Sequence, residues 1–130
     1  MASILKVDDL RGNTAAGNIT ITSEGGSATM QLQQGLCKSW CDWNNQGTPA
    51  VDDSFNVSSL TDTATGKTGL NLTSSMSSAT YAQSGAGADG YSLQNDITNA
   101  RTSSRYTVIV WYGSYYDAST VTALAHGDLA

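Results

Sequence analysis

Apolar and polar residues alternate with period two along most of the chain, the pattern of half-buried β-strands. The densest run lies between Gly35 and Met76. There Cys37, Ser39, Cys41 and Trp43 share one face of an expected strand, and Lys38, Trp40 and Asp42 share the other. The turn-rich Asn44-Asn45-Gln46-Gly47-Thr48-Pro49 ends it. Phe55 and Val57 open a second strand, and Thr68, Leu70 and Leu72 form a third beyond the turn at Thr65-Gly66. Farther on, Arg105 to Tyr112 is the strongest strand of the chain. Tyr106, Val108 and Val110 face one way, and Thr107, Ile109 and Trp111 the other. Because both faces are apolar, this strand is expected at the centre of a sheet, covered on both sides or covered by a second chain. Gly113-Ser114 turns it, and Ser119 to His126 supplies a last strand with Val121, Ala123 and Ala125 on one face.

Two regions carry weaker signals. Ser84-Gly85-Ala86-Gly87-Ala88-Asp89-Gly90 reads as a flexible small-residue loop. Within 91–105, Tyr91, Leu93 and Ile97 are sparse among polar residues, which predicts a long loop with one short strand or turn. Residues 1–34 offer three short alternating pieces, at Leu5/Val7, Ile19/Ile21 and Met30/Leu32, separated by the 13–17 and 23–27 breaks. Each piece has only two inward side chains, too few to bury a core alone. Either the segment lies on the main domain as an edge hairpin, or several copies pack about an axis. The expected fold is therefore all-β: a small antiparallel β-sandwich of jelly-roll-like form over 35–130, preceded by a short β-rich attachment or stalk segment over 1–34.

Composition narrows the class. Of 130 residues only 13% are charged, while serine and threonine together number 33, which suits a β-rich extracellular or virion protein. A net charge of −5 with six unclustered Lys and Arg argues against binding nucleic acid through its phosphates. No apolar run approaches the ~18 residues of a membrane span, so membrane insertion is not expected. Nothing at Met1 resembles a signal peptide, because Lys6-Val7-Asp8-Asp9 interrupts any apolar core.

Candidate chemistry is thin. On a strand Cys37 and Cys41 would stand about 13 Å apart, beyond the roughly 4.4–6.8 Å of a disulfide, so they are expected as small reduced thiols. With His126 as the one histidine they make a poor zinc site, and a Ser-His-Asp arrangement would rest on His126 alone. Asp52-Asp53 is the obvious carboxylate pair, but neighbours on an extended chain point to opposite faces. Gly85, Gly87 and Gly90 spell GxGxxG outside any βαβ unit. Asp89, Asp96 and Asp117 lack calcium-loop spacing. Asn18-Ile19-Thr20, Asn56-Val57-Ser58 and Asn71-Leu72-Thr73 are glycosylation sequons by spelling only. No catalytic residue, metal site or cofactor is expected. The aromatics remain: Trp40 on the polar face of its strand, and Tyr112, Tyr115 and Tyr116 around a turn. Such side chains combine area with a polar tip and serve protein interfaces or sugar platforms.

One resemblance covers a little under half the chain. Its residues are Lys38, Trp40, Trp43 and Asn44, then Ser54-Phe55-Asn56-Val57-Ser58-Ser59-Leu60-Thr61-Asp62. Asn71-Leu72-Thr73, Met76 and Tyr81-Ala82 follow, and Val121 to Asp128 closes on Gly-Asp. This series resembles a repeated domain of bacteriophage tail-fibre and virion structural proteins, many of them in phages of aquatic bacteria. The resemblance implies a non-enzymatic structural protein of the virion, a fibre, appendage or decoration subunit of tail or capsid. It also implies a homotrimer made in the host cytoplasm, joined to other virion proteins through residues 1–34. The alternative is a receptor- or carbohydrate-binding module contacting the host surface through Tyr115-Tyr116 and the 84–105 loop.

Overall fold

The computed structural model describes residues 4–15 and 18–130. It divides into two compact units, Met1–Leu36 and Cys37–Ala130. In the first, β1 (Thr20–Thr22) and β2 (Thr29–Gln31) pair antiparallel as a two-stranded sheet of their own, with Ile21 opposite Met30. A single helical turn, α1 (Leu32–Gly35), follows. The expected Met30/Leu32 piece is thus split between strand and helix, and the Leu5/Val7 piece forms no strand among the described residues. Of the 13–17 break, Ala16 and Gly17 lie outside the described residues.

The second unit is an antiparallel β-sandwich. Its first sheet runs in the order β4 (Ala50–Phe55), β3 (Ser39–Asn44), β10 (Val121–His126), β7 (Ala82–Gly87). The second runs β5 (Val57–Ala64), β6 (Lys67–Leu72), β9 (Arg105–Trp111), β8 (Ser92–Asn95). Eight antiparallel strands in two sheets are shared with jelly rolls. Here the hairpins β3–β4, β5–β6 and β8–β9 each stay within one sheet, and every other connection crosses between sheets.

The alternation read from the sequence fills the core. Cys41 and Trp43 from β3, with Val121, Ala123 and Ala125 from β10, face Leu70, Leu72, Tyr106, Val108 and Val110 of the other sheet. Strand β9 is interior to its sheet, as its two apolar faces require. Its outward Thr107 and Ile109 are buried as well. The thiols of Cys37 and Cys41 are both free, and burial, with Asp42, Asp52 and Asp53 nearby, pushes the Cys41 thiol up to about 11.

The stretch 82–87 corrects the loop expected there. Its backbone pairs along its full length with β10, Gly85 opposite Ala123 and Gly87 opposite Val121. A Cβ on Gly85 would stand 2.6 Å from Leu93 Cδ2, and one on Gly87 would stand 2.8 Å from Tyr91 Cβ. The glycines let β8 and its lead-in approach an edge strand, so their composition serves close packing. A second correction falls at Asn56. Phe55 ends β4 and Val57 begins β5, with Asn56 between them at φ 58°. Its side chain holds that corner by donating to the Lys38 and Ser74 carbonyls at 2.9 and 3.0 Å and accepting from the Ser74 amide at 2.7 Å. Asparagine tolerates this left-handed backbone better than most residues.

Candidate functional site

A buried polar pin at one end of the sandwich determines where the exposed aromatics stand. Trp43 is fully buried, and its indole N–H donates to Asn45 Oδ1 at 3.3 Å. The Thr68 hydroxyl donates to the same oxygen. Asn45 Nδ2 donates to Asp117 Oδ1 at 3.2 Å, and the Gly66 amide reaches that carboxylate oxygen at 2.6 Å. The end of β3, the β5–β6 turn and the segment entering β10 are thereby fastened together. Buried polar groups are stabilising only when partnered, and here Asn45 uses both ends of its amide.

On this base the chain reverses after β9. Gly113 takes φ 69°, the Tyr112 amide donates to the Ser114 carbonyl at 2.9 Å, and Trp111 forms a bridge with Tyr115. Two aromatic groups result. The Trp111 and Tyr115 rings meet edge-on at 5.2 Å, and Lys67 Nζ lies 4.8 Å over the Tyr115 ring. Tyr91 stacks on Tyr116 at 4.9 Å and meets Tyr112 edge-on at 5.1 Å. Tyr112 is 64% exposed, and Trp111, Tyr115 and Tyr116 are exposed too. Ring contacts of this kind fix side chains that solvent would otherwise leave free to rotate, so the tip is a preorganised apolar surface with phenol hydroxyls.

Comparison of the chain with protein-family models, with curated proteins and with solved structures finds no match in any of the three.

Of the aromatics singled out in the sequence, the structure brings Tyr112, Tyr115 and Tyr116 into this tip. Trp40 stands elsewhere, half-buried on the outer face of the first sheet, in lateral register with Phe55 and Leu124. Trp111, Tyr91 and Lys67 belong to the tip and were missed. Trp111 was legible only as the outer face of β9, although the spacing Trp111-Tyr112-Gly113-Ser114-Tyr115 does set two aromatics across a tight turn.

The other candidates take structural places. His126 is half-buried at the end of β10. Asp53 lies opposite Asp42, and Asp52 falls at the irregularity between the β3–β4 pairs. Asp117 is held in the pin, and the Asp89 side chain lies outside the described residues. Among the described residues no group of three His, Cys, Asp or Glu is placed to hold a metal ion, and no helix is long and apolar enough to cross a membrane.

Asp96 is a strongly perturbed acid. Its side chain is buried, and Lys67 Nζ approaches Oδ2 at 3.5 Å. Burial alone would raise the carboxyl pKa. Hydrogen bonds from the Asn99 amide group and from the Thr98 hydroxyl and backbone amide outweigh it and hold the group well below the usual carboxylate range. A depressed folded pKa contributes stability that is present above the unfolded value of about 3.9 and is lost as pH falls toward the folded one. Thermal melts from pH 5 to pH 2 are therefore expected to show a steeper loss for the native chain than for Asp96→Asn. Parallel slopes would contradict the assignment.

Proposed function

We propose that the chain is a non-enzymatic structural subunit of a phage virion, a fibre, appendage or decoration protein of tail or capsid, assembled as a homotrimer through its N-terminal unit. The observation that carries this reading is the exposure of apolar side chains in residues 4–36. Ile4 and Leu5 are 78% and 77% exposed, and Val7, Leu10, Ile21, Met30 and Leu36 are exposed with them. Among the described residues its strand pairing is the three-residue β1–β2 hairpin, and an isolated two-stranded hairpin is marginal in water. Exposed apolar side chains in this number fit a contact surface, and copies of the same chain packed about an axis would cover them.

The resemblance to virion domains rests on residues that prove to be scaffold. Trp43, Met76 and Tyr81 are core, Asn56 holds a corner, and Val121 to His126 is the strand between β3 and β7. A protein whose distinguishing residues build a sandwich fits a part in an assembly. Sedimentation equilibrium of the full chain at micromolar concentration tests the reading, with a mass three times the 13.5 kDa of one chain expected.

A second reading, a module that contacts a host-surface glycan or receptor, is favoured by one observation. The aromatic tip is exposed yet fixed by its own ring contacts, as stacking on a sugar face requires.

A further inference from the structure

The four edge strands of the sandwich are unequally protected. Strand β4 follows Pro49, carries Asp52 and Asp53 and slips register against β3. Strand β5 carries Asp62 and slips register twice against β6. Charges, bulges and proline of this kind keep foreign strands from adding to an edge. At the other end of each sheet, β7 and β8 contain no charged residue and no proline. They pair without a break through six and four residues. Their free edges border a cleft of about 320 Å³ whose lining includes Gln83, Gly85, Leu93, Asn95 and Val108.

Hydrogen-bond alternation fixes which backbone groups face this cleft. In an antiparallel pair, bonded residues recur at every second position. The Ala88 amide donates to the Thr120 carbonyl at 3.0 Å, so Ala82, Ser84 and Ala86 bond β10 and the backbone of Gln83 and Gly85 points away from it. The Val110 amide donates to the Gly66 carbonyl at 2.8 Å, so Ile109 and Trp111 turn their backbone toward β8. Gln94 and Ser92 bond them, and the backbone of Leu93 and Asn95 points outward. All four outward residues line the cleft. A strand laid along β7 would pair with Gln83 and Gly85, and its alternate side chains would meet Leu93 and Val108. Strand addition of this kind draws affinity from the backbone and specificity from the side chains that enter the cleft.

The chain carries a segment of that description. Ile4-Leu5-Lys6-Val7 keeps the period-two pattern, belongs to no described helix or strand, and leaves Ile4, Leu5 and Val7 exposed. Because it is exposed in its own chain, the occupant comes from a second copy. Charge sets its direction. Arg101 lines the hollow that adjoins the cleft at Gln83 and Asn95. Asp8 follows Val7, while Asp9 is held by Arg11. Asp8 reaches Arg101 when the segment runs antiparallel to β7, with Val7 near Gln83 and Ile4 toward Gly87. Antiparallel pairing is also the more stable sense. We propose that residues 4–7 of one copy add as a strand to β7 of the next, with Asp8 pairing to Arg101. The proposal rests on the reading that copies associate through the N-terminal unit, and it names the surface that unit takes on its neighbour. Head-to-tail contacts of this kind close into a ring when the rotation permits.

The test is backbone amide hydrogen exchange of the full chain, resolved by residue. Gln83 and Gly85 are expected to exchange as slowly as Ser84 and Ala86, which bond β10. In the full chain carrying Leu5→Asp and Val7→Asp, Gln83 and Gly85 should exchange roughly tenfold faster while Ser84 and Ala86 stay unchanged. Arg101→Asp should have the same effect, and adding Asp8→Lys to it should restore the protection. Sedimentation of the same samples separates this proposal from the reading beneath it. A native oligomer whose Gln83 and Gly85 exchange is the same with and without Leu5→Asp and Val7→Asp overturns the proposal and leaves association through the N-terminal unit standing. A native monomer overturns both, and slow exchange at Gln83 and Gly85 in that monomer would put its own segment, not a neighbour's, in the cleft. Failure of Asp8→Lys to restore protection to Arg101→Asp also overturns the proposal.

Discussion

Replacing Trp43 by alanine is expected to cost about 3–5 kcal/mol of stability, the range for removing a large buried aromatic from a packed core. Trp43 is fully buried among residues of both sheets. Its loss would leave a cavity between the two sheets, with the Thr68 hydroxyl still donating to Asn45 Oδ1. Against a typical total of about 5–15 kcal/mol, that would remove much of the stability of the sandwich. Trp43→Phe keeps most of the volume and deletes the indole donor, so a smaller loss of about 1–2 kcal/mol is expected. Urea denaturation of the three proteins measures both differences. Equal, small effects in the two variants would mean that Trp43 is not the hub of the core.

Gly66→Ala is the second large effect, and it joins stability to the aromatic tip. Gly66 turns β5 into β6 at φ 67°, and Gly113 turns the tip at φ 69°. A left-handed backbone costs a residue with a Cβ roughly 1–2 kcal/mol at either place. The surroundings differ. A Cβ at Gly66 would lie 2.6 Å from the Tyr116 amide nitrogen and 2.9 Å from the Val110 carbonyl oxygen, whereas one at Gly113 would meet nothing within 4 Å. The first variant must displace backbone that carries Tyr115 and Tyr116 and loosen the Gly66–Asp117 bond. Gly66→Ala is therefore expected to lose markedly more stability than Gly113→Ala, together with much of the near-UV circular dichroism from Trp111 and its neighbours. Equal losses would show that the tip is not built on the Gly66 turn.

What could be read in advance follows from what period two encodes. The inward residues of β3, β6, β9 and β10 were legible, because alternation over six or seven residues leaves one choice of buried face. Strand β9 announced its central place through Val108 and Val110 on one side and Ile109 on the other. Strand β7 was not legible. Gly85 and Gly87 carry no side chain to alternate, and their role lies in the close approach of Leu93 and Tyr91, which depends on how β8 folds back beside β7. Asn56 was hidden for a related reason, since a corner is set by backbone dihedral and by carbonyls at Lys38 and Ser74. The candidate site was half legible. Tyr112, Tyr115 and Tyr116 sit next to one another in the chain, whereas Tyr91 and Lys67 reach the tip only through tertiary structure. The Asn45–Thr68–Asp117 pin gives no local signal at all, because its three members look like ordinary turn and strand residues.

We propose above that this sandwich is one subunit of a homotrimer joined through the apolar side chains of its N-terminal unit. Sedimentation equilibrium run in parallel on the full chain and on a chain lacking residues 1–34 tests it most directly. A mass of three chains is expected for the full-length protein and a lower mass for the shortened one, which keeps the far-UV spectrum of a β-sandwich. A full-length protein that remains a single 13.5 kDa chain at micromolar concentration would contradict it.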